Sequence, residues 1–201
     1  MRRHAPKRKG HVELPALWFV TDPGRVPDPV AAAQRLPPGC GVIFRGFGRP
    51  QAQAEAAALA VIAKSNGLSL LIGLDAELAE RVGAQGVHLP ERAMARARAL
   101  RQRHPDWIIT CAAHGARSIR AAGQLGIDAV FLSAVFASNS PSAGRPLGPQ
   151  RFALLARPSA IPVLALGGVR AANASRLAAA GASGVAAVEG IAEITDADFR
   201  T

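Results

Sequence analysis

Two glycines and an arginine, residue types that can bind an anion, stand directly after short apolar runs of this 201-residue chain. Gly167 and Gly168 follow residues 164–166, and Arg45 follows residues 41–44. Paired glycines let backbone N–H groups approach an anion, and the start of a following helix favours negative charge. The pair therefore predicts a phosphate site, and a tight strand–helix turn is the alternative. Arg45 suits either a clamp on an anion or carbonyl oxygen, or an ion pair with Asp22.

Two histidines are candidates for proton transfer. His114 follows an apolar run and suits a general acid or base, whereas His88 lies inside residues 87–89. A hydrogen-bonded core histidine is the alternative for His88. Glu189 and Gly190 follow the last apolar run, and Glu189 would repel an anion at the glycine pair if its side chain pointed inward.

One phrase, a glycine followed by a short β-branched run, recurs four times and indicates how these residues are positioned. The copies begin at Gly39, Gly83, Gly126 and Gly181, and each follows an Ala-rich stretch of helical character. Glycine ends a helix in the left-handed conformation without a steric cost. The spacing suits two strand–helix units, so four copies predict eight strands and eight helices.

The strands are continuous apolar runs, as in parallel strands that are buried on both faces. The predicted strands are residues 16–20, 41–44, 68–72, 86–89, 107–111, 129–132, 162–166 and 184–188. The predicted helices are residues 28–36, 51–66, 75–82, 91–103, 116–125, 150–156 and 171–180, with a short last helix within residues 191–201.

Strict alternation of strands and helices predicts an α/β fold, a single (β/α)8 TIM barrel over residues 15–201. A doubly wound sheet is the rival, but no G-x-G-x-x-G follows the first strand. In such barrels the chemistry lies at the carboxyl ends of the strands. The positions just beyond the four phrases hold Arg45, Pro90, Ser133 and Glu189.

The net charge of +10 raises the question of a nucleic-acid partner. Five cations lie in residues 1–14, which we expect to be a flexible basic arm. Most others are arginines spread over predicted helices, such as Arg92, Arg96, Arg98, Arg101 and Arg103. This distribution favours a solvated surface, with nucleic-acid binding through the arm as the alternative. No apolar run is long enough for a membrane span, and residues 1–11 lack the apolar core of a secretory signal. Cys40 and Cys111 are expected to be buried thiols of a cytoplasmic protein.

The sequence predicts neither a metal site nor a bound cofactor. No cysteine and histidine residues have zinc-ligand spacing, and no Ser–His–Asp order stands out. Asp75 and Glu91 are the only loose candidates for a divalent-cation site.

Several segments together resemble one family over residues 17–191. They are residues 18–22 (Trp-Phe-Val-Thr-Asp), 44–45 (Phe-Arg), 86–90 (Gly-Val-His-Leu-Pro), 113–114 (Ala-His), 135–136 (Val-Phe), 161–169 (Ile-Pro-Val-Leu-Ala-Leu-Gly-Gly-Val) and 181–185 (Gly-Ala-Ser-Gly-Val). On these motifs the chain resembles the thiamine phosphate synthase and TenI-like thiazole tautomerase superfamily, a group of (β/α)8 barrels. The family synthase joins an aminopyrimidine pyrophosphate to a thiazole phosphate with the help of magnesium.

The resemblance implies roles for individual residues. Arg45 matches the arginine that contacts pyrophosphate, and Gly167 and Gly168 match the loop that binds thiazole phosphate. His88 and His114 match histidines at the same strand ends.

The chain also departs from the family pattern at positions that bear on catalysis. Ile43 and Phe47 replace the glutamine and lysine around the family arginine, and Leu74 and Ala93 replace the two acids that hold magnesium. Further departures are Ala112 for a serine, residues 137–140 with Ser138 for a Thr-x-Thr-Lys stretch, Ala134 for the tautomerase histidine and Glu189 for a small polar residue. These changes indicate that the barrel is kept while the synthase and tautomerase chemistry is impaired.

Three functions are compatible with these residues and with the resemblance. The first is an enzyme of thiamine biosynthesis or a close relative, which binds thiazole phosphate, thiamine phosphate or a similar small anion at Gly167, Gly168, Glu189, Gly190 and Ser138. The second is a non-catalytic or re-purposed TenI-like barrel that keeps the phosphate loop. The third is a nucleic-acid-associated protein that acts through the basic arm. An incomplete last helix would expose a flank of the barrel, for which a second copy of the chain is a suitable partner.

Overall fold

The computed structural model describes residues 14–140 and 144–195, which form a closed barrel of eight parallel strands. The strands pair in chain order, and β1 closes the ring by pairing with β8. The predicted (β/α)8 barrel is confirmed. The basic arm predicted for residues 1–14 lies, except for Leu14, outside the described residues, as do residues 196–201.

The elements alternate as the sequence predicts. The strands are β1 (Leu17–Val20), β2 (Gly41–Phe44), β3 (Ser69–Gly73), β4 (Gly86–Leu89), β5 (Ile108–Ala113), β6 (Ala129–Leu132), β7 (Val163–Leu166) and β8 (Gly184–Ala187). The helices are α1 (Pro29–Gln34), α2 (Ala52–Asn66), α3 (Ala76–Val82), α4 (Ala97–Arg103), α5 (Ala116–Gln124), α6 (Gly148–Ala156) and α7 (Ala171–Ala179). Two 3₁₀ helices cover Glu91–Arg96 and Ile191–Glu193.

Several element boundaries differ from the prediction by one or two residues. Strand β5 continues to Ala113 because Ala112 and Ala113 still pair with β6. The single helix predicted for residues 91–103 is a 3₁₀ helix followed by α4. Within the described part of the chain, the short last helix is the single 3₁₀ turn Ile191–Glu193. None of the described helices is long and apolar enough to cross a lipid bilayer.

Three of the four repeated glycines end their helices as predicted, whereas Gly39 lies in the turn before β2, five residues after the end of α1. Gly39, Gly83, Gly126 and Gly181 all have a positive φ, between +66° and +84°. The glycine that opens β4, Gly86, has a different reason: a Cβ there would lie 1.9 Å from the Ile108 carbonyl oxygen of the neighbouring strand. The phrase therefore encodes both helix ends and close strand packing.

The inside of the barrel is filled by side chains that alternate along the strands. Trp18 and Phe131 meet edge to face with ring centroids 5.6 Å apart, and His88 approaches Phe131 in the same way at 5.2 Å. Gly41 makes room for the Trp18 ring, which would lie 2.2 Å from a Cβ at that position. Because successive strand residues point to opposite faces, the inward row that contains Ile43 continues to Arg45 at the carboxyl end of the barrel.

Candidate functional site

A cavity of about 1080 Å³ opens at the carboxyl ends of the strands. It is lined by seven of the eight site residues predicted from the sequence, namely Arg45, His88, His114, Ser138, Gly167, Gly168 and Glu189. The eighth, Gly190, is not part of this lining and instead begins the last 3₁₀ helix with a φ of +67°. Pro90 and Ser133, which follow two of the repeated phrases, also line the cavity.

Arg45 is held at the edge of the cavity by the loop after β1. Its Nε donates to the Thr21 carbonyl oxygen at 2.7 Å, and its Nη2 lies 3.3 Å from Asp22 Oδ2. Burial lowers the pKa of the Arg45 guanidinium, while the Asp22 carboxylate raises it. The ion pair with Asp22, which the sequence left as one of two alternatives, is therefore present. It does not exclude the anion clamp, since Nη1 has no partner among the described residues.

Glu189 does not face the cavity as an unpaired negative charge. Arg25 Nη1 lies 3.9 Å from Glu189 Oε2, and Arg25 Nη2 lies 3.2 Å from Asp22 Oδ2. Two arginines and two carboxylates thus alternate along the loops after β8, β1 and β2. The repulsion that Glu189 would exert on a bound anion is offset by Arg25.

Glycine is required at both positions of the pair after β7, because the loop after β6 packs directly against them. Gly167 and Gly168 have φ values of +97° and +65°. A Cβ on Gly168 would lie 2.2 Å from the Ala137 carbonyl oxygen, and one on Gly167 would lie 2.8 Å from Ala134. Asn173 of α7 donates to the Gly168 carbonyl oxygen at 3.0 Å. The pair is thus a tightly packed turn, and it still places backbone at the cavity wall beside the start of α7.

His88 is neutral at the floor of the cavity. Burial in the barrel, and secondarily the charge of Arg45, lowers its pKa to about 3. His88 Nδ1 lies 2.9 Å from the Thr110 hydroxyl, its partner in the strand register. The hydrogen-bonded core histidine is therefore the better description of His88, which reaches the cavity as an uncharged hydrogen-bonding group and not as a cation.

The low pKa of His88 predicts a loss of stability in acid. Below about pH 6.5 the unfolded chain binds a proton that the folded chain refuses down to about pH 3, so stability decreases as the pH falls through that range. Urea unfolding of His88→Gln against pH should show a shallower acid slope, by as much as about 1.4 kcal/mol per pH unit. Thr110→Val keeps the imidazole and should keep the slope. An unchanged slope in His88→Gln would contradict a neutral His88.

His114 forms a pair with Glu91 at the rim. Its Nδ1 lies 2.7 Å from Glu91 Oε2, and its backbone N–H donates to the same oxygen at 3.1 Å. A carboxylate on one ring nitrogen orients an imidazole and leaves Nε2 for proton transfer. Glu91 was missed as the partner of His114, because strand ends on neighbouring strands are far apart in the sequence.

Five further arginines line the cavity and were missed as site residues. They are Arg25, Arg49, Arg81, Arg92 and Arg170. With Arg45 they share the cavity lining with three acids, Asp75, Glu91 and Glu189, while Asp22 and Glu55 beside the cavity pair with Arg25, Arg45 and Arg49. Among the described residues, no ion pair involves Arg81, Arg92 or Arg170. Sequence reasoning placed Arg92 on a solvated helix face. Its position three residues after β4 was the signal that it lies at the mouth.

The residues at this mouth do not fit a magnesium ion. Within residues 14–140 and 144–195, no group of three or more histidine, cysteine, aspartate or glutamate side chains is arranged to hold a metal. Asp75 instead caps α3 by accepting from the Leu78 N–H at 2.9 Å, and Glu91 is paired with His114. Leu74 and Ala93, which stand where the resemblance expects acids, offer no side-chain oxygen ligand.

Both cysteines are buried, as predicted. Burial, and secondarily Glu91, raises the pKa of the Cys111 thiol to about 12. A thiol that stays protonated is a poor nucleophile, so Cys111 contributes packing and not covalent chemistry.

Relatives of this chain are named as thiamine-phosphate synthases. The chain is 34% identical over 180 residues to the thiamine biosynthesis bifunctional protein ThiM/ThiE of Symbiobacterium thermophilum, covering 88% of this chain and 37% of that protein. It is 37% identical over 135 residues to a putative thiamine-phosphate synthase of Geobacter sulfurreducens, covering 67% of this chain and 62% of the relative. The chain thus spans little more than a third of the first relative and less than two thirds of the second.

A solved structure supports the fold. Thiamine phosphate pyrophosphorylase from Pyrococcus furiosus matches with a TM-score of 0.77 at 19% identity, covering 92% of this chain and 94% of that one. The family model for thiamine monophosphate synthase matches residues 17–191, which is nearly the whole described barrel. This chain therefore belongs to the thiamine monophosphate synthase (TMP-TENI) family.

Proposed function

We propose that this chain binds a small phosphorylated compound of thiamine biosynthesis, thiazole phosphate or thiamine phosphate, in the mouth of its barrel, and that binding does not depend on magnesium. The observation that carries the proposal is the charge of the cavity wall: of its six arginines, Arg25, Arg45 and Arg49 are paired with acids, and Arg81, Arg92 and Arg170 have no ion pair among the described residues. Arginine forks and helix N-termini both bind phosphate groups.

The phosphate is assigned to the loop after β7. Gly167 and Gly168 bring backbone to the cavity wall at the start of α7, and Arg170 follows on the same loop with no ion pair among the described residues. Arg45, held by Thr21 and Asp22, faces the same space from β2. Charge-assisted hydrogen bonds from these groups would fix the ligand.

Catalysis is a separate question. In the family synthase, magnesium neutralises the pyrophosphate of one substrate, and the positions that should hold it are Leu74 and Ala93. We therefore propose a relative that keeps ligand binding and lacks magnesium-dependent synthase activity. The His114–Glu91 pair is the best candidate for any proton transfer on a bound ligand.

Isothermal titration calorimetry with thiazole phosphate and thiamine phosphate tests the proposal. We expect binding of at least one ligand, equal in magnesium and in EDTA. Arg45→Ala should weaken binding by about tenfold to a hundredfold, because a hydrogen bond to a charged group contributes about 1.5–3 kcal/mol. Arg98→Ala, which removes an exposed arginine outside the cavity, is the matched control and should bind as the wild type does.

Two results would contradict the proposal. Absence of heat with either ligand would reject the ligand class, and equal binding by Arg45→Ala would reject the position of the site. A product assay with both synthase substrates completes the test, since magnesium-dependent turnover would overturn the assignment of a metal-independent binder.

Other predictions remain to be tested. A cytoplasmic location, a homodimer and the basic arm of residues 1–14 rest on the sequence alone. Salt-dependent nucleic-acid binding that disappears when residues 1–11 are deleted would support the third function.

A further inference from the structure

Two bulky apolar residues occupy left-handed backbone on neighbouring loops of the mouth. Phe47, after β2, has a φ of +50°, and Leu74, after β3, has a φ of +68°. Both line the cavity. Within the described chain they are the only residues other than glycine with a positive φ. Left-handed backbone costs an ordinary residue about 1–2 kcal/mol, and such strain concentrates at functional sites.

The loop holds Phe47 in place and does not bury it. The Arg49 N–H donates to the Gly46 carbonyl oxygen at 3.0 Å, which closes a tight turn with Phe47 and Gly48 at its centre. Both central residues have a positive φ, as in a type I′ turn, whose first central position favours asparagine or glycine. Phenylalanine at that position projects from the tip of the turn, with 64% of its surface exposed.

The Phe47 ring is preorganised by a cation. The Arg45 guanidinium carbon lies 5.1 Å from the ring centroid, within range of a cation–π contact, and Arg45 is itself held by Thr21 and Asp22. The remaining ring surface is open to the cavity and solvent. Val61 and Leu154 are the other large apolar residues exposed on the described chain, and neither lines the cavity.

The apolar lip, defined as Phe47 and Leu74, lies across the mouth from the glycine pair. Leu74 follows β3 and the glycines follow β7, and these strands are four apart in a closed barrel of eight. A ligand with its phosphate on the β7 loop would therefore extend its other end toward the lip. That end would meet an aromatic ring and a leucine at the positions where the resemblance expects a lysine and a metal-binding acid.

We infer that the lip selects phosphorylated ligands whose second end is a flat, uncharged ring, and that Phe47 stacks on that ring. This inference rests on the proposed phosphate site and specifies its ligand class. A diphosphate at the second end would find neither a lysine at position 47 nor a metal-binding acid at position 74.

A matched pair of probes, 4-phenylbutyl phosphate and butyl phosphate, tests the inference by calorimetry. The wild type should bind the phenyl probe more tightly, and Phe47→Ala should weaken only the phenyl probe, by about threefold to tenfold, the range measured for aromatic pairs. Phe47→Tyr keeps the ring and should bind both probes as the wild type does. Leu154→Ala, which truncates an apolar side chain with 76% of its surface exposed, is the control outside the cavity.

The outcomes separate the two proposals. If both probes bind and Phe47→Ala weakens them equally or not at all, the ring contact is wrong and the phosphate site stands. If neither probe binds, or if Arg45→Ala leaves both affinities unchanged, the phosphate site itself is wrong. Equal affinity of the two probes for the wild type would also overturn the apolar lip.

Discussion

Gly168→Ala is expected to weaken binding of thiazole phosphate or thiamine phosphate by at least about tenfold, the contribution of one charge-assisted hydrogen bond. It should also destabilise the fold by about 2 kcal/mol or more, because alanine at a φ of +65° is strained and its Cβ would lie 2.2 Å from the Ala137 carbonyl oxygen. That oxygen belongs to the backbone and cannot rotate away, so the loop after β6 or the glycine turn must move.

Calorimetry and urea unfolding on the same preparations measure both effects. Gly123→Ala is the matched control, since a Cβ there meets nothing closer than Ile161 at 3.8 Å, and α5 is helical at that position. It should stabilise the protein by about 0.5–1 kcal/mol, the difference in helix propensity, and leave binding unchanged.

The two readouts distinguish the roles of the glycine pair. The Phe136 N–H donates to the Gly167 carbonyl oxygen at 2.9 Å, so the loop that carries Ser138 is tied to the end of β7. If Gly168→Ala loses stability and still binds phosphate normally, the glycines serve only to pack these loops together. Loss of binding in a variant that remains folded would place the phosphate on this turn.

The barrel was predictable because its determinants are local and repeated. A helix that ends in glycine and continues into a buried run has one physical interpretation. Gly83, Gly126 and Gly181 take the left-handed conformation that it requires, and Gly39 takes it in the turn before β2. Parallel pairing then follows from the alternation of elements. Arg45, His88 and the glycine pair could be placed at the mouth from strand ends alone.

The detailed site was not predictable to the same degree. Nothing in the residue types of Phe47 and Leu74 indicates a positive φ, because phenylalanine and leucine ordinarily avoid it. The pairing of His114 with Glu91, and of Arg25 with Glu189, joins residues from different loops. Such contacts depend on side-chain geometry that periodicity does not encode.

The burial of Arg101 was also not predicted from its residue type. The sequence groups it with Arg96, Arg98 and Arg103 as a solvated helix face, yet only 1% of its side chain is exposed. It follows buried Met94 and Ala97 at intervals of three and four residues, which is the signal that it lies on the inner face. The helical period was therefore informative where residue type was misleading.

Asp128→Ala is expected to be the most destabilising substitution of a charged residue in the barrel, by about 3 kcal/mol or more. Asp128 Oδ2 accepts from Arg101 Nη2 at 2.7 Å and from the Ile109 N–H at 2.7 Å. Removing the carboxylate leaves a buried guanidinium with only carbonyl partners and leaves the Ile109 N–H without its acceptor. Urea unfolding followed by circular dichroism measures the loss.

Most of this loss of stability should come from leaving the Arg101 guanidinium buried without a counter-ion, and not from losing the attraction between the two charges. The double variant Arg101→Met with Asp128→Asn removes both charges and retains an acceptor for Ile109, so it should cost less than Asp128→Ala alone. Glu80→Ala removes a pair with Arg103, whose side chain is 67% exposed, and a contact with His104 Nε2, and should cost about 1 kcal/mol. If Asp128→Ala lowers the free energy of unfolding no more than Glu80→Ala does, the Arg101 guanidinium is solvated and its buried contact with Asp128 is wrong. Asp128 lies just before β6, at the end of the barrel opposite the mouth. The folded Asp128→Ala variant should therefore bind ligand as the wild type does, because its contact with Arg101 stabilises the fold without forming part of the ligand site.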